Sequence, residues 1–124
     1  MRQTVNAPDA PRAVGPYSHA VRAGDFVYLS GQTPLEPATG KLVDGDVAAQ
    51  TTRVFANLLA VLTTAGLTFA HVVKVNVYLT DLSDFAMNEV YAQTFSEPYP
   101  ARTTVAVAGL PLEAHVEIEL IAQA

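Results

Sequence analysis

His115-Val116-Glu117-Ile118-Glu119-Leu120-Ile121-Ala122 is the stretch whose reading decides the fold. Its residues alternate. Val116, Ile118 and Leu120 point one way, and His115, Glu117, Glu119 and Ile121 point the other, the signature of a strand with one face in a core. Upstream, Gly109-Leu110-Pro111 reads as a turn and Thr103 to Ala108 as the strand entering it. There Arg102 and Thr104 share a side, opposite Thr103, Val105 and Val107.

Working outward, a helix is expected from a Ser83 cap to about Glu97, stopped by Pro98 and Pro100, with Phe85, Val90, Tyr91 and Phe95 as its apolar residues. Val72 to Leu79 reads as a strand. Val73, Val75, Val77 and Leu79 form one face, and Lys74, Asn76 and Tyr78 the other. Asp46 to Ala65 is the clearest helix: Val47, Thr51, Val54, Phe55, Leu58, Val61, Leu62 and Ala65 recur at helical spacing. Asp44 or Asp46 can cap its start and Gly66 can stop it. Gly31 to Asp44 is expected to be a loop, punctuated by Pro34, Pro37 and Gly40. His19 to Ser30 reads as a β-hairpin turning at Ala23-Gly24-Asp25. Prolines 8, 11 and 16 make the N-terminal arm extended and irregular.

Strands, helix, strand, helix, strands is the order of an α+β fold with two helices on one face of a mixed sheet. Two helices leave the other face bare. With the apolar sets under the helices, Arg102, Thr104, Glu117 and Glu119 are expected together on the bare face, among Val72, Tyr78 and Ile121. A surface mixing charge and apolar area in that way is expected to be buried against another subunit.

The 124 residues fit one domain spanning 1–124. Half of them are hydrophobic and 15% are charged, enough to fill a core. The net charge is −5, and the seven basic residues are scattered from Arg2 to Arg102. Nucleic-acid binding draws on clustered Lys and Arg, so a nucleic-acid groove is disfavoured. With no cysteine, disulfides, thiolate metal sites and thiol nucleophiles are excluded. Met1-Arg2-Gln3-Thr4-Val5 lacks the apolar core of a signal peptide, and no apolar run approaches ~20 residues, so a cytoplasmic protein that crosses no membrane is expected.

Several residues can carry chemistry. Arg102, following Tyr99-Pro100-Ala101, can grip a carboxylate with two parallel hydrogen bonds. Its spacing equally admits a surface ion pair with Glu97 or Glu117. Glu119, mid-strand among apolar neighbours, can position or deprotonate a water. A solvated carboxylate fits the same spacing, and Glu117 is an equal candidate on parity. Tyr17 can donate its hydroxyl to a substrate oxygen or serve as a packed aromatic. Ser30-Gly31-Gln32 ends a strand, where Gly31 lets a ligand approach the backbone or simply begins a turn. His19, His71 and His115 show no metal-ligand spacing and read as structural or surface residues. Thr39-Gly40-Lys41-Leu42 lacks the upstream Gly and the following Ser/Thr of a P-loop.

Read together, these blocks resemble one known family. Gly15-Pro16-Tyr17-Ser18-His19-Ala20-Val21, Leu29-Ser30-Gly31-Gln32 and Asp46-Val47-Ala48-Ala49-Gln50-Thr51 are similar to successive signatures of the RidA (YjgF) family, once called endoribonuclease L-PSP or translation inhibitor. Val72-Val73-Lys74, Asp84-Phe85-Ala86 and Asn88-Glu89-Val90-Tyr91 resemble its middle. Pro100-Ala101-Arg102-Thr103-Thr104-Val105, Leu110-Pro111 and Val116-Glu117-Ile118-Glu119 resemble its C-terminal signature. Each block is weak alone; in order over nearly the whole chain they are specific.

The resemblance implies a chorismate-mutase-like fold: a mixed six-stranded sheet with two helices on one face, closing into a barrel as a homotrimer with clefts between subunits. It implies a deaminase that hydrolyses 2-iminopropanoate and 2-iminobutanoate, or their enamine tautomers, to 2-oxo acids and ammonia, with no cofactor and no metal. It assigns Arg102 to the substrate carboxylate and Glu119 to the attacking water. Tyr17, Ser30, Gly31, Thr104 and Asn88 then line the substrate pocket. Many members carry Cys where this chain has Thr104, which removes any thiol chemistry there. Two other readings share the fold: a ligand-binding or chaperone-like module without turnover, and a ribonuclease or translation inhibitor, which the acidic balance disfavours.

Overall fold

The computed structural model describes residues 2–124. Met1, part of both the expected 1–124 domain and the N-terminal stretch read for a signal peptide, lies outside the described residues. The strands are β1 (Gln3–Val5), β2 (Ala20–Ala23), β3 (Phe26–Gln32), β4 (Val72–Leu79), β5 (Ala101–Ala106) and β6 (Val116–Gln123). The helices are α1 (Val47–Thr64) and α2 (Ala86–Thr94). One mixed sheet runs in the order β1-β2-β3-β6-β4-β5, antiparallel throughout except for the parallel pair β4 and β5.

The α1 helix begins where Asp46 accepts a hydrogen bond from the Ala49 amide at 3.0 Å, satisfying one of the donors every helix start leaves free. It ends before Gly66, whose φ of 80° suits a residue without a Cβ. Val54, Phe55, Leu58, Val61 and Leu62 are buried along one stripe. They meet Val27 and Leu29 of β3, Val75 and Val77 of β4, and Val116, Ile118 and Leu120 of β6, all in one core. Each such side chain taken out of water contributes about 1.5–3 kcal/mol before the entropy of ordering the chain is charged against it. Buried Asn57 ties the helix to the loop after β3 by donating to the Thr33 and Leu35 carbonyls at 3.2 and 2.9 Å. A buried amide so matched keeps its hydrogen bonds without water.

The second helix is shorter than its pattern suggests. Ser83 does not cap it. The Ser83 hydroxyl and amide both turn back to Asp81 Oδ1, at 2.7 and 2.9 Å, and the helix starts after Phe85, which is 70% exposed. It stops at Thr94, because Phe95 goes extended and packs its ring against Phe55, Phe69 and Tyr91. Burial of that ring outweighs another half-turn of helix ahead of Glu97, which Pro98 already biases away from the helical region.

Three further departures come from register. Gln3 to Val5, within the arm expected to be irregular, pairs with Val21 and its neighbours and supplies the outermost strand. A bulge between Val72 and Lys74 puts Val72 in the core and leaves Val73 39% exposed. Val73 is therefore not on the face of Val75, Val77 and Leu79, and Val72 is not on the bare face. Strand β5 starts at Ala101, two residues earlier than expected.

Candidate active site

Strand pairing places Glu117 and Glu119 on the face without helices, since β6 pairs Glu119 with Asn76 and Glu117 with Tyr78 while Ile118 and Leu120 are buried. Beside them β3 carries an extra residue. Ser30 and Gly31 together face Glu119, between the pairs Leu29 with Leu120 and Gln32 with Ile118. The bulge pushes this segment of backbone out toward the N-terminal arm. Ser30 ties the two together: its hydroxyl donates to the Ser18 carbonyl at 2.7 Å and its amide to the His19 carbonyl at 3.0 Å.

The arm is fixed by a buried histidine. His19 Nδ1 accepts from the Ala7 amide at 2.9 Å, and Nε2 donates to the Pro11 carbonyl at 2.8 Å. The clamp holds Pro11, Arg12 and Tyr17 over the sheet. Between arm and strands lies a groove of about 720 Å³ lined by Arg12, Tyr17, Ser30, Gly31, Glu117 and Glu119. Its far wall is Pro111 and Leu112, from a turn in which Leu112 has a φ of 57°, a conformation a branched side chain adopts only under constraint.

Inside the groove the two glutamates differ. Glu117 lies against Gly31 so closely that a methyl group at Gly31 would collide with its carboxylate. Burial pushes the Glu117 carboxyl above its ordinary range, and the charge of Glu119 adds to the effect. Glu119 has neutral donors instead: Oε1 accepts from the Tyr78 hydroxyl, and from Asn76 Nδ2 at 3.4 Å. Parity left these carboxylates equivalent; their neighbours separate them. Tyr78 and Asn76 were not singled out as site residues. Their place on β4, opposite Glu117 and Glu119, was the signal that could have found them.

Arg102 is elsewhere. It pairs with Val75 and Thr104 pairs with Val77, both buried under the helices, so Arg102 and Thr104 lie on the helix-covered side, not on the bare face. The sequence reading placed them with Glu117 and Glu119 by assigning Val105 and Val107 to the core. Strand β5 is the edge strand beside β4, and Val105, paired with Tyr78, falls on the bare face. Val105 there is 40% exposed, and Val107 falls beyond the strand. Nor are β5 and β6 neighbours, because β4 runs between them. Arg102 Nη1 donates to Asn88 Oδ1 at 2.8 Å, and the guanidinium sits 4.6 Å from the centroid of the Tyr91 ring. Stacking and hydrogen bond hold the cation while it stays in water. These residues, with Tyr99 and Pro100, form a second depression of about 360 Å³. Thr104 Oγ1 is buried without a hydrogen-bond partner among the described residues.

The expected site residues thus divide into two sets. Tyr17, Ser30, Gly31 and Glu119 share the groove; Asn88 and Arg102 share the depression beside α2; Thr104 lies two residues along β5 from Arg102.

Fold and groove together define a class, α+β proteins that pair an open sheet face with a carboxylate-lined cleft. The family model described as Endoribonuclease L-PSP matches residues 7–124. The chain is 52% identical to Protein DfrA of Myxococcus xanthus, over 98% of this chain and 95% of that protein. It is 43% identical to the 2-iminobutanoate/2-iminopropanoate deaminase of Bos taurus, over 98% and 90%. The crystal structure of RidA from the Antarctic bacterium Psychrobacter sp. superposes with a TM-score of 0.94 at 50% identity, covering 98% of this chain and 99% of that one. The chain belongs to the RidA (YjgF) family. Among the described residues, no helix is long and apolar enough to cross a membrane.

Proposed function

We propose that this protein is a hydrolytic deaminase of small 2-imino acids, working as a cytoplasmic homotrimer with its sites between subunits, and that the whole chain, 1–124, acts as one domain. The observation that carries the reading is the division of the site. One face holds an oriented carboxylate in a groove, the other an arginine held by Asn88 and Tyr91, and within one chain the sheet separates them. A second copy laid against the bare face can bring its own Arg102 to the first copy's Glu119. Phe26, Tyr28 and Val105, each 38–47% exposed, give such a contact apolar area to bury. Relatives named for deamination of 2-iminobutanoate and 2-iminopropanoate support the choice of substrate.

The chemistry then needs little. Arg102 binds the substrate carboxylate through paired hydrogen bonds and offsets its charge, fixing the iminium carbon. Glu119 accepts a proton from a water as the water oxygen bonds to that carbon. The proton passes to the nitrogen of the resulting carbinolamine, the C–N bond breaks as the carbinolamine hydroxyl returns its proton to Glu119, and ammonia leaves as the 2-oxo acid forms. A protonated imine is already electrophilic, so neither a metal nor a covalent nucleophile is called for. Tyr17, Ser30, Gly31, Thr104 and Asn88 shape the pocket.

The test uses a pyridoxal-phosphate-dependent dehydratase that releases 2-iminobutanoate, with semicarbazide capturing whatever is not hydrolysed. Wild-type protein should suppress the semicarbazone, and Arg102→Ala and Glu119→Gln should not, while Glu119→Gln should still bind a 2-oxo acid. Full activity in either variant refutes the mechanism. Ligand-dependent function without turnover in wild type would favour a binding module instead.

A further inference from the structure

We infer that Tyr78 is a positioning residue for Glu119: with Asn76 it holds one carboxylate oxygen so that the other faces the reacting water. The inference rests on the reading of Glu119 given above.

Strand register brings the three residues together. Asn76 is directly across from Glu119, and Tyr78, one pair further along, is across from Glu117 on the same bare face. A glutamate has three rotatable bonds, and in a groove open to solvent it would distribute over several rotamers, only some of which aim at a substrate. Here the Tyr78 hydroxyl and the Asn76 amide both address Oε1. Two donors on one oxygen select one rotamer and leave Oε2 to accept from water. A hydrogen bond to an ionised acceptor is among the stronger a protein makes, so the selection is firm.

The choice of a phenol matters. Tyr78 is pushed up to about 12, first by its hydrogen bond to Glu119, then by burial and by the charges of Glu119 and Glu117. It therefore stays a neutral donor over any working pH, neither competing as a base nor carrying charge that would repel an anionic substrate. The other groups facing this corner are accounted for. Glu117 flanks Glu119 on β6, Arg12 and Tyr17 come from the arm across the groove, and Lys74, earlier on β4, donates to Thr103 Oγ1 at 2.8 Å. Among the described residues none of these donates to Glu119 Oε1 beside Tyr78 and Asn76. Phenylalanine would fill the same space without the hydroxyl, so Tyr78→Phe isolates the hydrogen bond from packing.

The experiment measures imine hydrolysis by wild type, Tyr78→Phe and Glu119→Gln from pH 5 to 9, after light scattering shows that all three keep the same assembly. The expected Tyr78→Phe result is a kcat lower by about tenfold, the loss of one charge-assisted hydrogen bond, with KM within about twofold because the carboxylate grip is untouched. Titration of tyrosine absorbance adds a readout independent of turnover: in Glu119→Gln one phenol should ionise at lower pH than in wild type. Tyr78→Phe with wild-type kcat, alongside an inactive Glu119→Gln, overturns this inference alone. A fully active Glu119→Gln overturns both it and the hydrolysis reading.

Discussion

If Arg102 and Glu119 act on one substrate from different copies of the chain, two dead variants should revive each other. Arg102→Ala removes paired, charge-assisted hydrogen bonds to the substrate, about 3–4 kcal/mol of binding in the transition state, or two to three orders of magnitude in kcat/KM. Glu119→Gln leaves the arginine intact and removes the base. Mix the two as unfolded chains, refold them together, and they assort at random around a cyclic trimer. Each cleft draws its arginine from one protomer and its glutamate from the next. A cleft is whole only when an Arg102-bearing chain meets a Glu119-bearing chain in the correct order, which for equal mixtures is about one cleft in four. The mixture should therefore recover about a quarter of wild-type kcat with wild-type KM. Neither parent, refolded alone, should exceed its own residual rate. The coupled semicarbazide assay reads the rate, and differently tagged chains show by pull-down that hybrids formed. The reason to expect revival is geometric: Arg102 lies with Val75 under the helices and Glu119 with Asn76 on the opposite face, so one chain cannot present both to one small molecule. Hybrids that form yet show only the summed parental rates would refute it, and the site would then have to be assembled within a single chain.

Other outcomes follow from the same contacts. Gly31→Ala should cost little stability, because the group it strikes is the far end of the Glu117 side chain. Thermal unfolding should stay within about 1 kcal/mol of wild type, whereas KM should rise as Glu117 swings into the groove. Asp46→Ala removes the α1 cap and should lower stability by about 1 kcal/mol per chain in urea unfolding. The raised carboxyl of Glu117 binds protons more tightly in the folded chain than its ordinary value of 4.5. Between that value and the raised one the folded state holds more protons than the unfolded state, so stability falls as pH rises through the window. Glu117→Gln should flatten that fall, read as urea midpoints at successive pH values, and a steeper slope in the variant would contradict the assignment.

Much of the architecture was legible because it rests on periodicity. The α1 stripe from Val54 to Leu62 and the alternation from Val116 to Leu120 each bury one continuous face, and a sequence records such faces directly. What was lost had two physical sources. The Val72–Lys74 bulge inserts a residue that no pattern marks, and every side chain before it changes faces. In β5, an edge strand, apolar and polar residues no longer report which side is core. Arg102 could be named as a candidate from its chemistry but placed only by its pairing with Val75. For the groove, Tyr17 and the Ser30-Gly31 strand end stood out by residue type and position, with packing or a plain turn equally open, and the resemblance assigned them to a pocket. Tyr78 was overlooked because a tyrosine in a strand is as often a packing residue as a donor.

Burial links these features. The helix-covered face is complete within the chain, with Val27, Val75, Val77 and Ile118 almost fully enclosed. The bare face mixes Phe26 and Tyr28 with Glu117 and Glu119, so covering it gains apolar contact and at the same time removes water from two carboxylates. An unsatisfied buried carboxylate would cancel much of that gain. Glu119 escapes the penalty through Tyr78 and Asn76, and Glu117 through its greater hold on a proton. In the proposed assembly, what remains unmet is the capacity of Glu119 to accept one more hydrogen bond and the uncompensated charge of an Arg102 from the next copy. A water and a small carboxylate supply what is missing. In the proposed assembly the substrate would therefore complete the interface chemically, and the most polar gap in the subunit contact is where the proposed hydrolysis would take place.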